Sequence, residues 1–373
     1  MTQQQSPAEW RVMGETVAGA SHVRAGIPNQ DAIRQVRESG RGLPVVVSVS
    51  DGHGSDKCFR SDRGSRFAVE RAAQLVGEFI DELRAPVDYA AAEREARERL
   101  PREFVKRWRE AVEADLKARP FTEAELEGVE RKDGPQALKL VAANPLLAYG
   151  ATSLTVAVEE SFALYLQLGD GEILNVSGAG EVTSVLPEDE RLFANETTSL
   201  CTRDAEKNFR VRLQPFACEP PALILLSTDG YVNSFSDAAG FLKVGSDLLD
   251  MLRADGFDPV NRNLRGWLEE ATRSGSGDDC TLGLICRMDA LSKPAARPEG
   301  DGGKAAETPA ATTPAAPTPA ATPVAATGAA VASPPPGPAP SAAPPTGDAT
   351  SPDEAGVPAR PTEPAAGRDG RGA

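Results

Sequence analysis

"VVVSVSDGHGSD" (Val45–Asp56) decides the fold. Six apolar or small residues without polar alternation describe a strand covered on both faces. The run ends in Asp51, Gly52, His53 and Gly54, which places one of the chain's 2 histidines beside a carboxylate at the mouth of a buried strand. Upstream, Trp10–His22 reads as a first strand, Asp31–Ser39 as a second, and Leu43–Ser50 as the third. Downstream the period changes. Phe67, Ala68, Ala72, Leu75, Val76, Phe79, Ile80 and Leu83 recur every three or four residues, which predicts an amphipathic helix over Ser65–Leu83.

The charged stretch from Tyr89 to about Lys117 also has helical spacing through Leu100, Phe104, Trp108, Val112 and Leu116; Pro86, Pro101 and Pro120 predict that it is broken into two or more helices. After Gly150, strand patterns return in "ATSLTVAVEE", "SFALYLQLGD", "GEILNVSG", "EVTSVLP", "NFRVRLQPF" and "ALILLSTDG", most of them separated by turn residues. Helical spacing reappears over Ala238–Leu252 and Asn263–Thr272, and Cys280–Arg287 reads as a closing strand. This order predicts an α+β fold, an antiparallel β-sandwich flanked by helices.

Composition bounds the rest. From about Leu291 to Ala373 the chain is Ala, Pro, Thr and Gly with little to bury, so a disordered tail is expected over 291–373 and one folded domain over 8–290. The net charge is −15, with 40 Lys and Arg against 55 Asp and Glu and no long basic stripe, which argues against nucleic-acid or anionic-membrane partners. The 5 cysteines, Cys58, Cys201, Cys218, Cys280 and Cys286, lack any C-x-x-C spacing, which suits reduced thiols rather than disulfides or a zinc site. "MTQQQSPAEW" is not a secretory signal and no apolar run approaches the roughly 20 residues of a bilayer span, so a soluble cytoplasmic protein is expected.

Asp51, Asp170 and Asp229 each follow an apolar run and precede a glycine, Asp278 stands just before the closing strand, and Asp31 opens the second. Taken singly, each Asp-Gly is a turn signal. Taken together, they place several carboxylates at strand mouths, where they would repel unless a cation lay between them. Oxygen donors without a Cys or His cluster select Mg²⁺, Mn²⁺ or Ca²⁺.

"NQDA" (Asn29–Ala32), "SDGHG" (Ser50–Gly54), "YGATSLTVAV" (Tyr149–Val158), "LGDGEI" (Leu168–Ile173), "LLSTDGYVN" (Leu225–Asn233) and "SGSGDDCTLGLI" (Ser274–Ile285) occur in this order. Together they resemble the successive motifs of the metal-dependent serine/threonine protein phosphatases, the protein phosphatase 2C family, closest to its bacterial members. The resemblance implies stacked antiparallel sheets with a two-ion Mg²⁺ or Mn²⁺ site at one end. It implies that Asp51 bridges the ions, that the Gly52 carbonyl binds one, that Asp229 and Asp278 hold the other, and that Asp31 or Gln30 completes the N-terminal side. Asp170 matches a position that helps to hold a weaker third ion. A metal-bridging hydroxide would then attack phosphoserine or phosphothreonine directly, with His53 as general acid and Arg24, or His22, gripping the phosphate. The partners expected are a phosphorylated protein, a serine/threonine kinase or its targets, and the chain is expected to be a monomer.

Three positions depart from the family pattern. Gln30 replaces a Glu, Arg24 stands two positions further from "NQD" than usual, and Asn233 stands where some members carry another Asp. The charged segment of about 84–144 has no counterpart in the resemblance and reads as a solvated helical cover or a docking surface. These departures keep open a second reading, a catalytically weak phosphatase-like binding or regulatory module. A third, a carboxylate-rich phosphodiesterase or nuclease, fits an acidic chain less well.

Overall fold

The computed structural model describes residues 9–36, 43–83, 85–187, 198–216 and 219–292. The expected tail falls outside the described residues from position 293 onward, and so does Cys218.

Strand β3 (Val45–Ser50) is buried at every position because it has neighbours on all sides. It lies between β2 (Ala32–Val36) and β4 (Ser153–Val158) in the sheet, with a second sheet below and a helix above. Val45, Val47 and Val49 point into the space between the sheets, where they meet Trp10, Leu154, Val156, Tyr165, Ile224 and Ile285. Val46 points the other way, against a helix. Ser48 lies on the polar exception of that face and shares a hydrogen bond of 2.7 Å with the Thr155 hydroxyl. The unbroken apolar run of the sequence thus reflects two separate cores, one on each side of the strand.

Among the described residues the strands form two five-stranded antiparallel sheets. One runs β2, β3, β4, β5 (Phe162–Leu168), β8 (Arg210–Pro215); the other runs β1 (Trp10–Val17), β10 (Cys280–Arg287), β9 (Leu223–Ser227), β6 (Glu172–Val176), β7 (Val182–Ser184). Helices α2 (Ser61–Glu82) and α3 (Tyr89–Ala118) cover the first sheet. Helices α6 (Ala238–Asp255) and α7 (Phe257–Ser274) cover the second, with Leu248, Leu264 and Leu268 packed on Met13, Leu225 and Leu284. The expected sandwich with flanking helices is present. No helix among the described residues is long and apolar enough to cross a membrane. Cys58, Cys201, Cys280 and Cys286 are buried free thiols.

Three local expectations differ from the structure. The first strand stops at Val17, and residues Ala20–Ala25 form a short helix, α1, that ends at Gly26 in the left-handed region with φ of 69°. The stretch after Tyr89 is one helix of 30 residues that continues through Pro101. An interior proline costs a helix about 3 kcal/mol. Each large apolar side chain buried returns about 1.5–3 kcal/mol, and Leu100, Phe104, Trp108 and Val112 are all buried against α2 and β8, so packing wins. The segment read as a solvated cover is therefore half core. Its second half, α4 (Glu123–Ala143), is the exposed part: it buries Val129, Ala137 and Val141, opens on a Thr122–Glu125 capping box, and bends at Gly134–Pro135.

Candidate metal centre

Antiparallel pairing decides where the carboxylates meet. The end of β3 opposes the start of both β2 and β4, the end of β5 lies beside the start of β4, and the end of β9 opposes the start of β10. Asp31, Asp51 and Asp170 are thereby delivered by one sheet, Asp229 and Asp278 by the other, all at the same mouth of the sandwich.

Asp51 is held by backbone. Its N–H donates to the Thr152 hydroxyl at 3.0 Å, its carbonyl accepts from the Thr152 N–H at 2.8 Å, and the His53 N–H donates to the Gly150 carbonyl at 3.0 Å. Gly52 bridges to Ala151 within this ladder, and a Cβ there would stand 2.6 Å from the Gln30 carbonyl oxygen and 2.7 Å from that of Ser61. Only glycine admits this approach. Asp229 opens the short helix α5 (Asp229–Val232), where Asn233 donates to its Oδ2 at 3.1 Å. A Cβ on the next residue, Gly230, would come within 2.0 Å of the Asp279 carbonyl oxygen, so the two loops of this corner are pressed together.

Asp51, Asp170 and Asp229 each offer a carboxylate oxygen, and these oxygens lie within 4.8 Å of one another. Burial pushes the Asp51 carboxyl well above its ordinary range, and the charges of Asp31 and Asp229 push it further. Asp229 is raised as well, by burial first and then by Asp170 and Asp278 against a hydrogen bond with Asp51. Crowded acids of this kind either hold protons or hold a cation. Gln30 stands at the same corner, beside His53. Its Nε2 donates to the Ser61 hydroxyl at 2.7 Å and to the His53 carbonyl at 3.4 Å, yet its Oε1 is buried and has no hydrogen-bond partner. A buried acceptor without a donor costs about 1–3 kcal/mol. The three carboxylates make an all-oxygen donor set suited to a hard divalent ion.

Asp31 is the floor. Its Oδ2 accepts from the hydroxyls of Thr228 and Thr281, both at 2.7 Å, and burial raises its pKa well above the ordinary range in spite of these bonds. Asp278 is exposed and stands with His22 and Asp279 in a neighbouring cluster, not among the three crowded carboxylates; its charge still reaches Asp229. His53 is half-buried with its ring over Gly150, and burial lowers its pKa against the opposing charge of Asp170. Arg24 stands exposed on α1. His22, two residues earlier, is only 15% exposed along its side chain.

The sequence reading passed over Asp279. It is 4% exposed and accepts from the Gly19 N–H at 2.6 Å, the Gln30 N–H at 2.7 Å and the His22 ring at 2.9 Å, tying three segments together. Its signal was the doublet Asp278–Asp279, in which alternation toward the strand sends one carboxylate out and the other in. Thr152, Thr228 and Thr281 were passed over too, since a lone threonine near a strand end has no distinctive spacing.

Comparison with known proteins places the chain in a family. The family model described as Protein phosphatase 2C matches residues 18–269, more than half of the chain. A search of curated protein sequences finds no match. Among solved structures, the catalytic domain of the serine threonine protein phosphatase PstP in complex with 2 manganese ions is 15% identical, with 74% of this chain and 98% of that one covered at a TM-score of 0.43. PppA, a key regulatory component of T6SS in Pseudomonas aeruginosa, is 17% identical over 75% and 98% at 0.44. The serine/threonine phosphatase Stp1 from Staphylococcus aureus is 12% identical over 77% and 99% at 0.45. With the motifs in order and the family model matching more than half of the chain, the chain belongs to the protein phosphatase 2C family, the metal-dependent serine/threonine protein phosphatases.

Proposed function

We propose that the chain hydrolyses phosphoserine and phosphothreonine in proteins, with two Mg²⁺ or Mn²⁺ ions at the mouth of the sandwich. The observation that carries this reading is the meeting of Asp51, Asp170 and Asp229, whose carboxylate oxygens lie within 4.8 Å of one another. Asp51 would serve both ions, the Gly52 carbonyl and Gln30 one of them, and Asp229 and Asp278 the other, with Asp170 available to a weaker third. Divalent ions bound there supply a low-pKa water and offset the negative charge of the phosphoryl group.

The chain's own residues do the rest. The ladder between Asp51–His53 and Gly150–Thr152, with the Thr152 hydroxyl on the Asp51 N–H, fixes the backbone from which the Asp51 carboxylate projects. Asp31, pinned by two threonines, would add negative charge beside Asp51 once a cation offsets the effect of its burial. His53 would pass a proton to the departing seryl or threonyl oxygen. Its lowered pKa makes the protonated ring a stronger acid, present in a smaller fraction at neutral pH. Arg24 is free to swing toward a bound phosphate, where its fork would make paired hydrogen bonds.

The test is release of phosphate from a phosphothreonine peptide with and without Mn²⁺, for the native chain, Asp51→Ala and Asp229→Asn. Removing the bridging carboxylate withdraws several kcal/mol of transition-state stabilisation, so Asp51→Ala is expected to lose about a thousandfold or more. Equal background release from all three, with no rise of the native thermal midpoint in Mn²⁺, defeats the proposal.

A further inference from the structure

We infer that His22 is a nitrogen ligand to the divalent ion held at Asp278, with Asp279 as the carboxylate that aims it. The inference deepens the reading of the mouth as a cation site and rests on it. His22, Asp278 and Asp279 form a cluster whose donor atoms lie within 4.8 Å of one another, separate from the cluster of Asp51, Asp170 and Asp229.

The two aspartates of this cluster differ in what they have left to give. Asp279 is committed: its Oδ1 takes the Gly19 N–H and the His22 Nδ1, and its Oδ2 takes the Gln30 N–H. Three of its roughly four lone-pair sites are thus taken, which leaves it less to offer an ion than Asp278. What it does instead is fix the imidazole. With Nδ1–H donated to Asp279, the lone pair lies on Nε2, the arrangement in which a carboxylate orients a metal-binding histidine.

Nε2 lies 3.5 Å from the Asp278 Oδ1 and makes no hydrogen bond among the described residues. Two donors that each sit about 2.1 Å from one cation are at most about 4.2 Å apart, so the observed separation suits a shared ion. Asp278 is the open carboxylate of the doublet, its Oδ1 taking only the Asp279 N–H at 2.8 Å beside this histidine. An imidazole in an otherwise oxygen site favours first-row transition-metal divalents, Mn²⁺ included, over Mg²⁺. His22 would therefore tune which ion this corner keeps.

The composition of the chain makes the test clean, because only 2 histidines exist, His22 and His53. The full chain loaded with Mn²⁺ is examined by pulsed electron paramagnetic resonance for imidazole ¹⁴N coupling, as the native protein, His22→Ala and His53→Ala. Coupling is expected in the native chain and in His53→Ala, and absent from His22→Ala. By calorimetric titration, His22→Ala is expected to weaken Mn²⁺ binding about tenfold or more and Mg²⁺ binding less than about threefold. Mn²⁺ bound by the native chain without ¹⁴N coupling overturns the role of His22 and leaves the proposed phosphatase site standing. Coupling that survives in His22→Ala and disappears in His53→Ala overturns it equally. Failure of the native chain to bind Mn²⁺ at all removes the cation site, and this inference with it.

Discussion

The two corners of the mouth are built by different means. Asp51 is carried by strand backbone: its peptide groups continue the ladder between β3 and β4, and the neighbouring glycine is fixed by close approach to Gln30 and Ser61. Asp278 sits on a loop tied at a few points: the Ser21 N–H holds the Gly277 carbonyl, the Thr272 hydroxyl holds the Asp278 carbonyl, and the buried Asp279 gathers Gly19, Gln30 and His22. A ladder-held ligand depends on the whole sheet. A loop tied at a few points, most of them through the side chains of Thr272 and Asp279, is more open to disturbance by single substitutions.

The comparison can be broken most forcefully behind the first corner. Arg60, whose side chain is 5% exposed, donates to Glu125, the Tyr149 hydroxyl and the carbonyls of Arg119 and Pro120, while its own N–H holds the Ala148 carbonyl next to the ladder. The hydrogen bond from this guanidinium brings the Glu125 carboxyl down to about 2. Arg60→Met strands buried acceptors and is expected to cost about 3–5 kcal/mol in urea unfolding. A loss below about 1 kcal/mol would show that the ladder needs no buttress.

At the second corner, Asp279→Ala deprives two buried backbone N–H groups of a charged acceptor. The expected cost is about 2–3 kcal/mol, with weaker Mn²⁺ binding on calorimetry while Asp51 stays in place. If divalent affinity is unchanged, the corners are independent of how Asp279 holds its loop.

The smallest effect sharpens the comparison instead of breaking it. Gln30→Glu puts a carboxylate where an unpartnered amide oxygen now lies. Divalent affinity is expected to rise about tenfold, near 1.4 kcal/mol, because affinity follows the number of ligand charges. The ion-free protein should melt earlier, since one more buried carboxylate joins a crowded group. A thermal scan with and without Mg²⁺ reads both.

What the sequence disclosed follows the same division. The strand ends at Ser50, Leu168 and Ser227 were legible because apolar runs stop abruptly in acid and glycine, and the Asp51 corner consists of such a stop. Residues acting through side chains on distant backbone left no pattern. Asp279 looked like the second half of a doublet, and His22 looked like the last residue of a first strand when it belongs to α1. Pro101 misled in the opposite way: its local cost is real, yet Trp108 and Phe104 outweigh it from one and two turns away. Local chemistry marks where elements stop, while the length of an element is settled by what it packs against.

The threonine-bound floor has a mechanical consequence. Asp31 comes from one sheet, and the hydroxyls that clasp it, those of Thr228 and Thr281, come from the end of β9 and from β10 in the other. Asp51 and Asp229 likewise face each other across the seam. On the proposed ligand set, an ion between them is a rivet through both sheets, so loading the site and closing the sandwich are one event. At an ion concentration of 100 times Kd that rivet adds about 2.7 kcal/mol to folding, which would make a chelator an unfolding agent as much as an inhibitor.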